Sequence, residues 1–256
     1  MGFAVVFFLA YRPVRDLTEA RLALARAKGA MQELAGSESG LESESGLESE
    51  SESAWPVAPL ELVGVRLARG SIAPLNLRIE PGQIVAICGA TGAGKTTLLR
   101  ALLGLDALLD GEVRYGAVVL ADRPGPRARP FAWVPQDAPI LADTLERNVR
   151  LADGAARVHV ALAPLGAEHL VSELADARLG AGGRKVSGGE RRWIALSRAV
   201  ATRQPVLLLD EPTSGLDPAS QARVLEAIGR LRGARTIILV SHRPEPLAIA
   251  DVVVRV

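Results

Sequence analysis

At 256 residues with 48% apolar side chains, the chain has ample material for one large folded domain with appendages, and a wholly disordered protein is excluded. A formal net charge of +1 gives no electrostatic pointer to nucleic acid, and no nucleic-acid partner is expected. A single cysteine, Cys88, rules out a disulfide within the chain and fits a reducing cytoplasm.

In chain order, Val5 to Ala10 with Phe3 form an apolar run far short of the roughly 20 residues that span a bilayer as a helix. No basic region precedes it and no small-residue cleavage site follows, so a signal peptide fits poorly. Two readings stand: the last turns of a membrane helix with Tyr11 and Arg12 at the water interface, or a short apolar arm. From Pro13, Leu17, Ala20, Leu24 and Ala27 recur at helical spacing among Arg15, Arg21, Arg26 and Lys28, which predicts a cytosolic helix ending at Gly36. Residues 37–54 repeat Ser, Gly and Glu, with Glu38, Glu42, Glu44, Glu48, Glu50 and Glu52 and no basic residue. Such a segment buries too little apolar surface to offset its ordering entropy, and reads as a flexible, self-repelling linker.

The compact domain is expected over 55–256. Strand-like runs occur at Glu61–Leu67, Leu75–Ile79, Ile84–Cys88, Val118–Leu120, Phe131–Val134, Val206–Leu209 and Thr236–Val240, with helical stretches between several of them, an α/β layout. The runs 206–209 and 237–240 are apolar without alternation, as parallel strands buried on both faces require. Cys88 ends one strand and reads as a small buried side chain.

Directly after that strand comes Gly89-Ala90-Thr91-Gly92-Ala93-Gly94-Lys95-Thr96, a full match to G-x-x-x-x-G-K-[ST], with an apolar helix opening at Thr97. Glycines let the backbone wrap closely, so successive N–H groups can face phosphate oxygens while the helix N-terminus adds favourable field. Lys95 is expected to hold the β- and γ-phosphates of a nucleotide, and the Thr96 hydroxyl to ligate Mg²⁺. Further on, Val206-Leu207-Leu208-Leu209 runs into Asp210 and Glu211. A carboxylate at the strand tip can hold Mg²⁺ beside Thr96, which leaves Glu211 to polarise an attacking water.

Between these lies Val186-Ser187-Gly188-Gly189-Glu190-Arg191-Arg192, then the apolar helix Trp193 to Val200. This stretch resembles the Leu-Ser-Gly-Gly-Gln signature of ATP-binding cassette ATPases, with Val186 and Glu190 replacing the first and last letters. A serine and two glycines at a helix N-terminus can form a second anion site. Gln136 in Trp133-Val134-Pro135-Gln136, the loop Ser214-Gly215-Leu216-Asp217, and His242 in Ser241-His242-Arg243 follow the family's order. The resemblance covers roughly residues 60–256. It implies an α/β P-loop NTPase with a RecA-like core, a small antiparallel β subdomain and a helical signature subdomain.

It further implies ATP and Mg²⁺ as ligands and a head-to-tail dimer, homomeric or heteromeric, with two nucleotides at the interface. There Ser187, Gly188 and Gly189 grip the partner's γ-phosphate, and Asp217 crosses to the partner. By the same resemblance Gln136 senses Mg²⁺ and the lytic water, and His242 contacts the γ-phosphate. Thr97 completes the phosphate-binding stretch.

The stretch Thr144-Leu145-Glu146-Arg147-Asn148-Val149 is similar to that of exporter-type cassettes fused to a membrane domain, and Tyr11 to Leu17 is similar to the cytosolic end of their final membrane helix. The resemblance therefore implies the ATPase end of an exporter that lacks most of its membrane domain, working with an associated membrane domain at the cytoplasmic face of the cell membrane. Its substrate is unreadable. Two alternatives are a non-transport cassette ATPase in DNA repair or translation and an inactive transporter fragment. Long coiled-coil insertions or a second cassette, the marks of the non-transport classes, do not occur in the chain.

Three departures from the pattern stand out. Arg69 occupies the place where exporters carry an aromatic that stacks on adenine; its planar guanidinium either stacks on the base or points to solvent. Leu179-Gly180-Ala181-Gly182-Gly183 lacks the acidic residue exporters carry there. The chain reaches Asp251 to Val256 with one expected terminal strand, where family members continue further.

Overall fold

A computed structural model describes residues 55–122, 125–151, 154–174 and 177–256. The expected membrane-helix stub, cytosolic helix and acidic linker of residues 1–54 lie outside them.

The domain opens with β1 (Leu60–Leu67) and β2 (Leu75–Ile79), which with β4 (Leu108–Tyr115) and β5 (Val118–Val119) make an antiparallel sheet of order β2-β1-β4-β5. The sequence reading contains no β4. Strand β1 carries a register shift against both neighbours near Val63 to Arg66. Tyr115 anchors the end of this sheet, its hydroxyl donating to the Pro56 carbonyl at 2.8 Å and its ring meeting Trp55 edge-on.

The second sheet is parallel. It comprises β3 (Ile84–Cys88), β6 (Phe131–Val134), β7 (Val206–Asp210), β8 (Thr236–Val240) and β9 (Val252–Arg255) in the order β6-β7-β8-β3-β9. Every residue of β3, β7 and β8 is buried, and alternate side chains enter different cores. Val85, Ile87, Leu208, Ile238 and Val240 pack with the antiparallel sheet and helix α1 (Lys95–Leu102). Ile84, Ala86, Leu207, Leu209, Ile237 and Leu239 pack instead with the helical side. Two-sided burial is why these runs lack polar alternation.

The helical side carries α2 (Leu145–Arg150), α3 (Val158–Leu162), α4 (His169–Leu174), α5 (Gly188–Ala201) and α6 (Pro218–Arg230); a short α7 (Pro244–Ala248) precedes β9. Helix α5 starts five residues before the apolar run Trp193 to Val200, because Ser187 caps it. The Ser187 Oγ accepts from the Glu190 amide at 3.1 Å and the Glu190 carboxylate accepts from the Ser187 amide at 2.7 Å, a reciprocal capping box. Asp217 caps α6 by accepting from the Ser220 amide at 3.0 Å. Two parallel-sheet connections matter for the site: β3 feeds α1 through the phosphate loop, and β7 feeds α6 through residues 211–217.

Candidate functional site

In a parallel sheet the carboxyl ends of all strands lie on one edge, and the loops that leave them meet there. Here β6, β7, β8 and β3 are neighbours, so Gln136, Asp210, His242 and the phosphate loop emerge side by side. They enclose a cleft of about 290 Å³ lined by Thr91, Gly92, Gly94, Lys95, Thr96, Thr97, Gln136, Asp210, Glu211 and His242. Within the phosphate loop, Gly94 takes φ +111° as the residue before α1, a backbone that an L side chain resists. The Lys95 Nζ donates to the carbonyls of Gly89 and Ala90 at 2.9 and 2.8 Å, arching the ammonium over the loop it serves.

Asp210 is 3% exposed and its Oδ1 accepts from the Thr96 hydroxyl at 3.3 Å. Burial pushes its carboxyl above the usual range; the Glu211 charge works in the same direction, against the Thr96 hydroxyl, Lys95 and Arg192. A buried carboxylate beside a hydroxyl, with its charge under-compensated, is a hard-oxygen pair suited to a small divalent cation. The residues present fit Mg²⁺.

Glu211 is 8% exposed and adopts φ +46°, the left-handed region that is costly for a residue with a Cβ. Its backbone is fixed by an N–H bond to the Val240 carbonyl at 3.0 Å. Its carboxylate is held by two donors from the end of β8: the His242 Nδ1 lies 2.7 Å from Oε1, and the Ser241 hydroxyl donates to Oε2 at 3.3 Å. Strand β8 thus sets the orientation of a side chain carried by β7.

Not every predicted site residue lines the cleft. Arg69 is exposed on a loop that touches the phosphate loop through backbone: the Ser71 amide donates to the Ala93 carbonyl at 2.9 Å, and a Cβ on Gly70 would come within 2.5 Å of that oxygen. Its side chain is therefore rooted next to the phosphate loop, where its charge acts on Asp106. Ser187, Gly188, Gly189 and Asp217 gather elsewhere. A Cβ on Gly188 would meet Leu216 at 3.6 Å, and one on Gly189 would meet the Ser220 Oγ at 3.5 Å, so the signature packs against the loop that ends in Asp217.

Two residues that sequence reasoning gave no role also belong here. Ser241 precedes the predicted histidine and shares its contact with Glu211. Arg192 is 5% exposed, and its guanidinium donates to the carbonyls of Pro135 and Gln136, each at 3.1 Å. In sequence it is one of two adjacent arginines after the signature and looks like solvated charge; only its inward direction distinguishes it. A larger cavity of about 400 Å³ is bordered by Ile140, Gly180, Ala181, Lys185, Val186 and Arg191, and among the described residues its lining includes none of the phosphate loop.

Comparison with known proteins shows the family. Residues 72–214 match the ABC transporter family. The chain is 35% identical over 203 residues to the beta-(1→2)glucan export ATP-binding/permease protein NdvA of Mesorhizobium japonicum, covering 76% of the chain and 34% of that protein. It is 32% identical over 271 residues to an ATP-dependent lipid A-core flippase of Cupriavidus metallidurans, covering 99% and 45%. The ABC transporter ATP-binding protein RamB of Streptomyces coelicolor is 36% identical over 192 residues, covering 73% and 31%. The chain thus spans less than half the length of each of these relatives. Among solved structures, a bacterial Atm1-family ABC exporter with ATP bound superposes with a TM-score of 0.70 at 23% identity, over 90% of this chain and 42% of that one, a likeness in fold.

Proposed function

The chain belongs to the ABC transporter family as an exporter-type ATP-binding domain with a P-loop ATPase fold, and from that premise we propose that it hydrolyses ATP to power export through an associated membrane domain. One observation carries the reading. Lys95, Thr96, Gln136, Asp210, Glu211 and His242, from the tips of four adjacent strands, line a single cleft.

The loop from Gly89 to Thr97 binds the phosphates: its amides and the N-terminus of α1 face the anion, and Lys95 exchanges its bonds to Gly89 and Ala90 for the β- and γ-phosphate oxygens. Thr96, Asp210 and Gln136 would hold Mg²⁺, which supplies charge neutralisation on those phosphates. Glu211 is the general base. His242 and Ser241 restrain its carboxylate, so an oxygen can face the attacking water and take up its proton. His242 lies at the same mouth of the cleft and contacts the γ-phosphate. Arg69 stacks on the base.

Ser187 to Gly189 and Asp217 complete the site of a second cassette rather than their own, in a head-to-tail dimer. The exporter names of the relatives support a membrane-domain partner and a place at the cytoplasmic face of the membrane; among the described residues no helix is long and apolar enough to cross a membrane. Domain boundaries at 1–36, 37–54 and 55–256 go with this reading.

The test is ATP turnover by the whole chain and its Glu211→Gln variant, with nucleotide binding measured alongside. Loss of turnover by about 10²- to 10⁴-fold with binding retained is expected. Equal turnover in the two proteins removes Glu211 as the base.

A further inference from the structure

Helix α5 does more than present the signature at its first turn. On its inner side Arg192 holds the carbonyls of Pro135 and Gln136. Arg198, six residues and so about 9 Å further along the helix, donates from Nε to the Asn148 carbonyl at 2.7 Å, and its two terminal nitrogens bond the Pro139 carbonyl and Asn148 Oδ1, each at 2.5 Å. The segment from Gln136 to Asn148 is thus fastened to α5 at both ends by guanidinium groups.

The two arginines differ in what lies beyond them. Arg198 meets backbone and an asparagine remote from the cleft. Arg192 sits beneath the residue that reaches the cleft, and the Gln136 side chain is exposed above the backbone carbonyl it holds. Among the described residues no carboxylate forms an ion pair with Arg192: burial disfavours its charge, the more distant Asp137 and Asp210 carboxylates offset part of that cost, and its hydrogen bonds go to neutral carbonyls. An apolar residue would fill this space without that penalty. A planar fork spanning two successive carbonyls, however, fixes the peptide between them, and so the direction in which Gln136 leaves the backbone.

We propose that Arg192 is a positioning residue for the reaction: it sets the Gln136 backbone so that the Gln136 side chain addresses the cleft, and it ties that setting to the helix carrying Ser187 to Gly189. The placement of Gln136 then follows the placement of the signature helix, so engagement of the signature by a second cassette reaches the metal-facing side of the cleft through one side chain. The inference rests on the reading of Gln136 as a residue that meets Mg²⁺.

The test uses the whole chain with Arg192→Gln, Arg192→Lys and, as a control for buried-arginine loss, Arg198→Gln. Lysine keeps the charge and one carbonyl bond, which guards against a glutamine variant that fails to fold. Mn²⁺ affinity is measured by electron paramagnetic resonance in the presence of a non-hydrolysable ATP analogue, together with kcat, KM for ATP and Tm. Both Arg192 variants are expected to weaken Mn²⁺ binding by about tenfold or more, and to lower kcat by at least about tenfold with KM for ATP changed less than about threefold. Arg198→Gln should lower Tm and leave Mn²⁺ affinity within about twofold.

Wild-type Mn²⁺ affinity in a folded Arg192 variant, or an equal loss in Arg198→Gln, overturns the inference. If the wild-type chain binds Mn²⁺ and the analogue but turns over no ATP, the hydrolytic reading fails, while the Mn²⁺ measurement still decides the role of Arg192.

Discussion

Glu190 shows how one side chain can serve two demands. It stands at the last letter of the signature, where a free negative charge opposes an anion site. Its carboxylate is spent internally, accepting from the Ser187 amide and from Arg184 Nη2 at 2.8 Å. Burial works against its charged form, yet the two Ser187 interactions and the Arg184 charge outweigh it, so the carboxyl lies below its ordinary value of 4.5. A carboxyl with a lowered folded value binds protons more tightly in the unfolded chain, so it adds stability above the unfolded value and loses it as pH falls through the folded one. Arg184 is 39% exposed, and screening keeps the pair's worth small. Glu190→Gln should therefore cost about 0.5–1 kcal/mol at pH 7, with the difference from wild type closing below roughly pH 4. Urea titrations at several pH values measure it; a gap that persists in acid removes the charge as its source. The legibility of residues follows the same line between backbone demand and direction. The run from Gly89 to Thr96, and Asp210 with Glu211, are readable because glycine spacing and a carboxylate after an apolar strand are written in the letters. Arg192 is not, because an arginine on a helix reads as solvated until its direction is seen.

Elements were readable where burial is uniform and unreadable where it is not. Strands β3, β7 and β8 are buried throughout and apolar except for Asp210 and Thr236, and their apolar runs predict their bounds within one residue. Strand β4 is Leu-Leu-Asp-Gly-Glu-Val-Arg-Tyr, mostly exposed over its first half, with Gly111 at φ +82°. A glycine and two acidic residues erase the alternation that marks a strand, and the register shifts on β1 show that the pairing is irregular there. A Cβ on Gly111 would fall 2.4 Å from the Gly64 carbonyl oxygen, so close backbone approach, not propensity, fixes this position. Apolar periodicity marks only the later part of α5, because its capped first turn of glycines and charges has none; Ser187 and the two glycines mark the N-terminus instead. Helix α2 owes its position to Asn148, which is fully buried. Its Oδ1 accepts from the Leu141 amide at 2.9 Å, while Nδ2 donates to the carbonyls of Leu141, Asp143 and Thr144. Asn148→Ala removes the acceptor of the Leu141 amide and of Arg198 Nη2 and one donor each from the Leu141, Asp143 and Thr144 carbonyls, which keep the amides of Asp143, Leu179 and Asn148. We expect a loss of about 2–4 kcal/mol, read as a lower urea midpoint with an unchanged slope. A loss within about 0.5 kcal/mol would mean that water replaces the amide.

At the scale of the whole domain, the two halves of the proposed reaction site are carried by separate groups of loops. The phosphate loop, Asp210, Glu211, Gln136 and His242 share the cleft, whereas Ser187, Gly188 and Gly189 pack with Leu216 and Ser220 and line none of it. A signature that closed on its own phosphate loop would need α5 to leave the carbonyls that Arg192 and Arg198 hold. Completion by a second copy needs no such rupture, and it makes a sharp prediction for mixtures. Lys95→Ala disables the phosphate loop and spares the signature; Ser187→Arg obstructs the signature and spares the loop. Each variant alone should be inactive, because both sites of a head-to-tail pair then carry the same defect. Mixed, the intact loop of one meets the intact signature of the other, while the second site of that pair carries both defects. Turnover should reappear on mixing and rise more steeply than linearly with total protein, as a bimolecular assembly must. Failure of the mixture, with the wild-type chain active, would rule out completion by a second copy of this chain and leave either a different cassette or closure within one chain.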